Sequence, residues 1–142
     1  MTNLMRRRSG FTLLELIVVI IVLGLLAGLV APQIISRLSD AKSTTARTQI
    51  ELLSVALDAY RLDNGSYPTT DQGLAALRDK PMRPPVPVNW RAPYLRKAVP
   101  VDPWGRPYIY RMPGERNPSA FDLESLGRDG KIGGEGEDAD VR

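Results

Sequence analysis

The apolar positions of the chain fall into three regimes, and each predicts a different kind of element. From Phe11 to Ala31 the sequence Phe-Thr-Leu-Leu-Glu-Leu-Ile-Val-Val-Ile-Ile-Val-Leu-Gly-Leu-Leu-Ala-Gly-Leu-Val-Ala holds 21 residues and a single charge, so a helix there is apolar on every side. At ~1.5 Å rise per residue it is about 31 Å long, the hydrocarbon thickness of a bilayer. Beyond Pro32 the pattern becomes one-sided. Ile34, Leu38 and Ala41 make one seam, and Ala46, Ile50, Leu53, Leu57 and Tyr60 continue at spacings of four, three, four and three, as a helix with one buried stripe requires. The opposite face carries Arg37, Asp40, Lys42, Arg47, Glu51, Asp58 and Arg61. Pro32 is expected to kink this rod without ending it. Asn64-Gly65 supplies the stop, since both residues tolerate the left-handed conformation that closes a helix. The pattern predicts one helix from about Phe11 to Asp63, roughly 80 Å long.

The third regime follows Tyr67-Pro68. Thr69 to Asp79 reads as a short capped helix with Leu74 and Leu77 turned inward. Residues 81–118 hold ten of the twelve prolines, which argues for rigid extended loops over regular central strands. Trp90, Tyr94, Leu95, Val99, Trp104, Tyr108, Ile109 and Tyr110 are interleaved with those prolines and give the helix stripe something to bury against, so the stretch is expected to be ordered. Tyr108 to Arg111 and Phe121 to Ser125 predict two short strands joined by a turn around Pro113-Gly114, forming an antiparallel hairpin on the amphipathic half of the helix. The fold class predicted is α+β.

Composition narrows the chemistry. A chain of 142 residues has room for one modest domain plus an attached segment and excludes a large multidomain enzyme. The 19 Lys and Arg exceed the 16 Asp and Glu by three, and Arg6, Arg7 and Arg8 supply all of that excess, since 19 − 3 leaves 16 against 16. A nucleic-acid partner therefore loses its main support. Without Cys or His, thiol nucleophiles, disulfides, histidine bases and thiolate or imidazole metal sites are impossible, and any metal must be held by oxygen. Glu51 and Asp58 share the polar helix face with no nucleophile motif beside them, which reads as a charged surface.

Two places remain where the residues ask for a function. The first is the apolar helix. Three arginines precede it and no comparable cluster follows at once, so the positive-inside bias puts the N-terminus in the cytoplasm and translocates the remainder. A secretory signal peptide is the alternative, with Leu29-Val30-Ala31 as a poor cleavage site. A plain single-span anchor explains everything except Glu15. A carboxylate in an apolar helix costs about 2.5–3.5 kcal/mol at mid-membrane and less near the interface. Were the chain cut between Gly10 and Phe11, the new α-amino group, with a pKa of about 7.7–8.0, would be a cation one helical turn from Glu15. The residues alone leave open whether that pair forms within one chain or between neighbouring chains.

The second place is the tail. Asp129, Glu135, Glu137, Asp138 and Asp140 are spread among Gly127, Gly130, Gly133, Gly134 and Gly136. Carboxylates and carbonyls gathered by a flexible loop suit a hard cation, and Ca²⁺ is the natural candidate; a solvated acidic tail explains the composition equally well. The spacing is not that of an EF-hand. Gly133 to Asp138 matches the calcium repeat G-G-x-G-x-D only once, and that architecture needs stacked copies.

Arg6-Arg7-Arg8-Ser9-Gly10-Phe11-Thr12-Leu13-Leu14-Glu15 resembles the class III signal of type IV pilins and type II secretion pseudopilins, in which a membrane aspartyl peptidase cuts after the glycine and N-methylates the new first residue. Tyr67 to Leu74, Pro93-Tyr94-Leu95, Asp102 to Tyr108 and Phe121 to Gly130 closely resemble the major pseudopilins of type II secretion systems, and the likeness runs from Arg6 to Val141. The proline-dense stretch Pro81 to Pro87 departs from that family's usual loop, and the lack of Cys departs from type IV major pilins, which usually end in a disulfide-closed loop. The resemblance implies a cleaved leader at 1–10, a transmembrane and filament-core helix at 11–32, and a periplasmic pilin-like domain at 33–142. That domain would comprise an amphipathic helix at 33–64, a loop and β region at 65–126 and an acidic loop at 127–142. It implies that Gly10 is the cleavage residue, Phe11 the methylated N-terminus and Glu15 the assembly carboxylate acting between chains. It implies a structural Ca²⁺ held by the Leu126 carbonyl, the Asp129 side chain, the Lys131 carbonyl and carboxylates among Glu137, Asp138 and Asp140.

The same resemblance implies a structural subunit and no enzyme. Its partners would be further copies of itself in a helical polymer, minor pseudopilins, the inner-membrane assembly platform, the prepilin peptidase and, before assembly, membrane lipid. The pseudopilus would act in the periplasm to move folded proteins through the outer membrane. The rivals are a type IV pilin of a surface fibre, serving adhesion or motility, and a monomeric membrane-anchored periplasmic binding protein.

Overall fold

A computed structural model describes residues 10–91 and 93–142, excluding the side chains of Ile35 and Ser36. The Arg6 to Arg8 triplet, on which the membrane orientation was argued, and the leader up to Ser9 lie outside the described residues. Helix α1 spans Leu13–Asn64 and continues through Pro32. The chain divides into two compact units, Met1–Leu38 and Ser39–Arg142.

In the first unit, the large apolar side chains from Leu13 to Val30 are between 44% and 79% exposed. α1 is long and apolar enough to cross a membrane: its most apolar window of 18 residues has a mean hydropathy of 3.0, and none of that window is buried. Ile34 and Leu38 are 61% and 56% exposed, and Ala41, at the start of the second unit, is exposed as well. That corrects the expected seam. Periodicity identifies a face but not whether anything lies on it, and these three are exposed among the described residues.

The second unit is built on the stripe that does find a cover. Ala46, Ile50, Leu53, Ala56, Leu57 and Tyr60 are buried, and with them Tyr67, Leu74, Leu77, Tyr108, Tyr110, Leu123 and Val141 make one core. Leu53, Leu57 and Leu77 are among its fully enclosed side chains, each contributing about 1.5–3 kcal/mol of transfer free energy. Trp90, Tyr94, Leu95, Val99 and Trp104 close over the core, partly buried, as their interleaving with proline predicts. The helix ends as expected: Gly65 takes φ 82° and its amide reaches the Arg61 carbonyl at 2.7 Å. The expected short helix is a single 3-10 turn, Leu74–Leu77. It follows a turn closed by Thr69 and Gln72, whose side chains each accept the other's backbone amide, at 3.3 and 3.1 Å.

Strands β1 (Ile109–Arg111) and β2 (Asp122–Glu124) pair antiparallel, with Tyr110 opposite Leu123. They are shorter than the sequence suggests, because the connection is a ten-residue loop organised by Asp122 rather than a tight turn at Pro113-Gly114. The Asp122 carboxylate accepts the Glu115 and Arg116 amides at 2.8 and 3.2 Å. Just past β2, Ser125 exchanges two backbone hydrogen bonds with Val141, 2.8 and 2.9 Å, which brings the end of the chain back beside the hairpin. The intervening tail is thereby closed into a loop.

Candidate functional site

The helix start is built by Thr12. Its Oγ1 accepts the Glu15 amide at 3.2 Å and its carbonyl accepts the Leu16 amide at 3.2 Å, so Thr12 caps α1 and satisfies a donor the helix would leave free. Thr12-Leu13-Leu14-Glu15 has the spacing of a capping box, a signal present in the sequence that the reading of Glu15 left unused. Gly10 and Phe11 are exposed ahead of the cap, Phe11 at 82%. The Glu15 side chain is also exposed and takes part in none of the ion pairs found among the described residues. Its charge is therefore available to a partner outside the described monomer, and its place in the first turn suits the positive end of the helix dipole.

The tail is organised from beneath by Asp102, which sequence reasoning missed. Asp102 is buried; its Oδ1 accepts the Trp104 and Arg106 amides at 3.0 and 2.8 Å, and its Oδ2 accepts the Ser125 hydroxyl at 2.5 Å. The run Asp-Pro-Trp-Gly carries the turn signature from which the first two bonds could have been read. Arg106, held by that turn, donates Nη2 to the Arg128 carbonyl at 2.9 Å.

Within the tail the structure distributes the acids as follows. Leu126 is half-buried and its carbonyl accepts the Gly130 amide at 3.2 Å. Asp129 is exposed, with Oδ1 accepting the Lys131 amide at 3.0 Å. Glu137 and Asp138 converge on Arg128: the guanidinium forks both oxygens of Asp138 at 2.9 and 3.0 Å and reaches Glu137 Oε2 at 3.1 Å. That contact holds the Asp138 carboxyl below its ordinary range and raises Arg128. Asp140 Oδ2 accepts the Gly133 amide at 3.1 Å and Arg142 Nη2 at 3.0 Å, while Asp140 Oδ1 is buried without a hydrogen-bond partner. No group of three or more acidic side chains is gathered to hold a metal among the described residues. An ion here would have to draw on backbone carbonyls beside the carboxylates, as oxygen-ligated cations commonly do. The orphaned oxygen of Asp140, whose side chain is 7% exposed, is a buried acceptor of this tail that such an ion would satisfy.

The comparisons with known proteins agree in both units. Residues 33–142 match the family described as type II secretion system (T2SS), protein G, and residues 5–31 match the prokaryotic N-terminal methylation motif. The type II secretion system core protein G of Pseudomonas aeruginosa is 53% identical over 136 residues, spanning 96% of this chain and 94% of that protein. The protein of the same name from Vibrio cholerae is 47% identical over 137 residues, spanning 96% and 92%. The crystal structure of the major pseudopilin from the type 2 secretion system of enterohaemorrhagic Escherichia coli superposes with a TM-score of 0.64 at 38% identity, covering 75% of this chain and 90% of that one.

Proposed function

The chain belongs to the protein G family of type II secretion systems and is a pseudopilus subunit, and from that premise we propose how its residues serve assembly. A prepilin peptidase cuts between Gly10 and Phe11 and methylates the Phe11 amine. The apolar part of α1 then stands in the inner membrane, with the cleaved end cytoplasmic and the domain from about residue 33 in the periplasm. The observation that carries this reading is the exposure of every large apolar side chain from Leu13 to Val30 in the monomer. Such a helix leaves lipid only for another apolar surrounding, and copies of itself provide one. A repeated head-to-tail contact that does not close gives a helical filament.

Glu15 sets the axial register of that filament. An exposed carboxylate in an apolar helix is stable in a packed core when a cation of a neighbouring copy meets it, and the freed amine of Phe11 is that cation. The polymer, with minor pseudopilins and the inner-membrane platform, works as a moving structural part that drives folded proteins through the outer membrane; the chain itself carries out no catalysis. The relatives described above are secretion-system proteins, which favours this over a surface fibre. The test is Glu15→Ala in cells: processing at Gly10 proceeds normally while filament yield collapses. Undiminished filaments would reject the register role.

The tail takes one divalent cation, Ca²⁺ by its oxygen-only donor set. The Asp129 and Asp140 carboxylates and the Leu126 and Lys131 carbonyls would hold it, with Glu137 and Asp138 joining on release from Arg128. The ion would supply charge neutralisation to a loop whose apolar side chains are nearly limited to Ile132 and Val141. Support comes from the buried, unpartnered Asp140 oxygen. Chelation should lower the melting temperature of the full chain in detergent, and an unchanged melting curve would reject the site.

A further inference from the structure

Arg128 stands directly before Asp129 and follows Gly127, whose φ of 62° turns the chain so that residues 128 and 138 meet across the loop. Its backbone is fixed at both ends, the amide on the Glu137 carbonyl at 2.8 Å and the carbonyl on Arg106 Nη2 at 2.9 Å. Its side chain is not fixed in the same way. The Arg128 side chain is 60% exposed, whereas the Glu137 and Asp138 side chains it pairs with are 19% and 30% exposed, so it lies on the solvent side of the acids. It can leave them by rotation about its own χ angles, with the backbone of the loop unmoved.

We propose that Arg128 is a tethered stand-in for the divalent cation of this loop: its guanidinium closes the tail on Glu137 and Asp138 when no ion is bound, and it must be released before those two carboxylates can coordinate one. The inference rests on the calcium reading above and adds to it a competitor built into the chain. Three observations carry it. The fork takes both oxygens of Asp138 and one of Glu137, the same atoms an ion would need. A dication placed on those oxygens would stand against a full positive charge at hydrogen-bond range, a repulsion that only displacement of the guanidinium relieves. The remaining buried acid, Asp140, shows what the arginine does not reach: Oδ2 is satisfied by Gly133 and Arg142, and Oδ1 is left without a donor. The loop therefore holds a guanidinium on both oxygens of Asp138, whereas at Asp140 Arg142 meets only Oδ2 and the buried Oδ1 is left without a donor.

Two consequences follow. The tail stays closed at low calcium, and the ion binds more weakly than it would to the same acids without the arginine, because binding must first break the fork. The test is calorimetric titration of the full chain in detergent with CaCl₂, comparing the parent with Arg128→Gln and with Lys97→Gln. The second variant removes the same charge from an exposed position outside the tail, and the Lys97 ammonium forms no ion pair among the described residues. Arg128→Gln should bind Ca²⁺ about tenfold more tightly than the parent, while Lys97→Gln changes affinity by less than about threefold. In chelator Arg128→Gln should melt below the parent, and saturating Ca²⁺ should close that gap. Equal gains in the two variants, or no gain in Arg128→Gln while the parent binds, would overturn the stand-in role and leave the calcium site intact. Absence of binding in the parent and in both variants would overturn both.

Discussion

Ser125 donates its hydroxyl to Asp102 at 2.5 Å, joining the end of β2 to a turn 23 positions earlier, and both residues are buried. The contact matters because Asp102 also holds the amides of Trp104 and Arg106, and Arg106 in turn holds the Arg128 carbonyl. One carboxylate thus connects the proline-rich loops, the hairpin and the acidic tail. Asp102→Ala would leave the two amides and the Ser125 hydroxyl without their acceptor, which should lower stability by about 1–3 kcal/mol. Asp102→Asn keeps an acceptor for the two amides and should lose less. Urea titration of the full chain in detergent, followed by Trp104 fluorescence, measures both; equal stability of parent and Asp102→Ala would show that the connection carries no free energy.

The tyrosines predict behaviour at high pH. Burial, with the Asp102 charge adding, pushes the Tyr108 phenol up to about 12, and burial raises Tyr110 further. Tyr60 is raised by burial and by Tyr94; Tyr94 is raised by burial, with the Asn64 hydrogen bond opposing and Asp63 reinforcing. A phenol whose pKa is higher in the folded state favours folding fully below its unfolded value of about 10 and loses that contribution as pH rises through the folded value. Absorbance at 295 nm should show ionisation of these side chains only above pH 10, together with loss of tertiary structure. Full ionisation at pH 10 with the fold intact would contradict the packing. Tyr110→Phe, which deprives the buried Pro68 carbonyl of its 2.7 Å donor, should cost about 0.5–1.5 kcal/mol at neutral pH.

Much of this arrangement was legible in the sequence, for reasons that can be named. The stripe Ala46, Ile50, Leu53, Leu57 and Tyr60 was readable because helical period is a local property, and all five are buried. Ile34, Leu38 and Ala41 obey the same local rule and are exposed, because cover is a tertiary fact that periodicity does not contain. Glu15 stood out against its apolar neighbours, whereas Thr12 was hidden by being an ordinary cap. Asp129 to Asp140 were visible as an acidic, glycine-rich run. The pairing of Arg128 with Asp138, ten residues away, depends on where the glycines reverse the chain, and composition does not fix that. The Asp102 to Ser125 contact was invisible for the same reason at longer range.

Asp122 predicts behaviour at low pH. Burial opposes its ionisation, but the Arg116 and Glu115 amides and the Arg116 and Arg111 charges outweigh it and hold the carboxyl below its ordinary value. A carboxylate lowered in the folded state contributes stability that is present above its unfolded pKa of about 3.9 and is lost as pH falls through the folded value. Melting temperature should therefore drop below about pH 4 in the parent. Asp122→Asn should be less stable at neutral pH and show a shallower acid limb. Parallel acid limbs in the two proteins would remove Asp122 from the account of the β1–β2 connection.

Two glycines of the tail separate backbone strain from steric closure. Gly127 has φ 62°, and a Cβ there would meet the Ala139 and Glu137 carbonyl oxygens at 2.8 Å. Gly133 has φ 93°, and a Cβ there would meet nothing within 4 Å. Alanine at either position forces a left-handed residue with a side chain, at roughly 1–2 kcal/mol. Only at Gly127 must backbone also move, because the colliding atoms are carbonyls of residues 137 and 139 across the loop, and that movement separates the Arg128 amide from the Glu137 carbonyl. Gly127→Ala should therefore destabilise the full chain by clearly more than Gly133→Ala, and it alone should make the tail susceptible to protease at neutral pH. Equal losses from the two variants would mean that residues 137–139 do not close over Gly127 in solution, and the Arg128 fork would have no rigid frame to hold it.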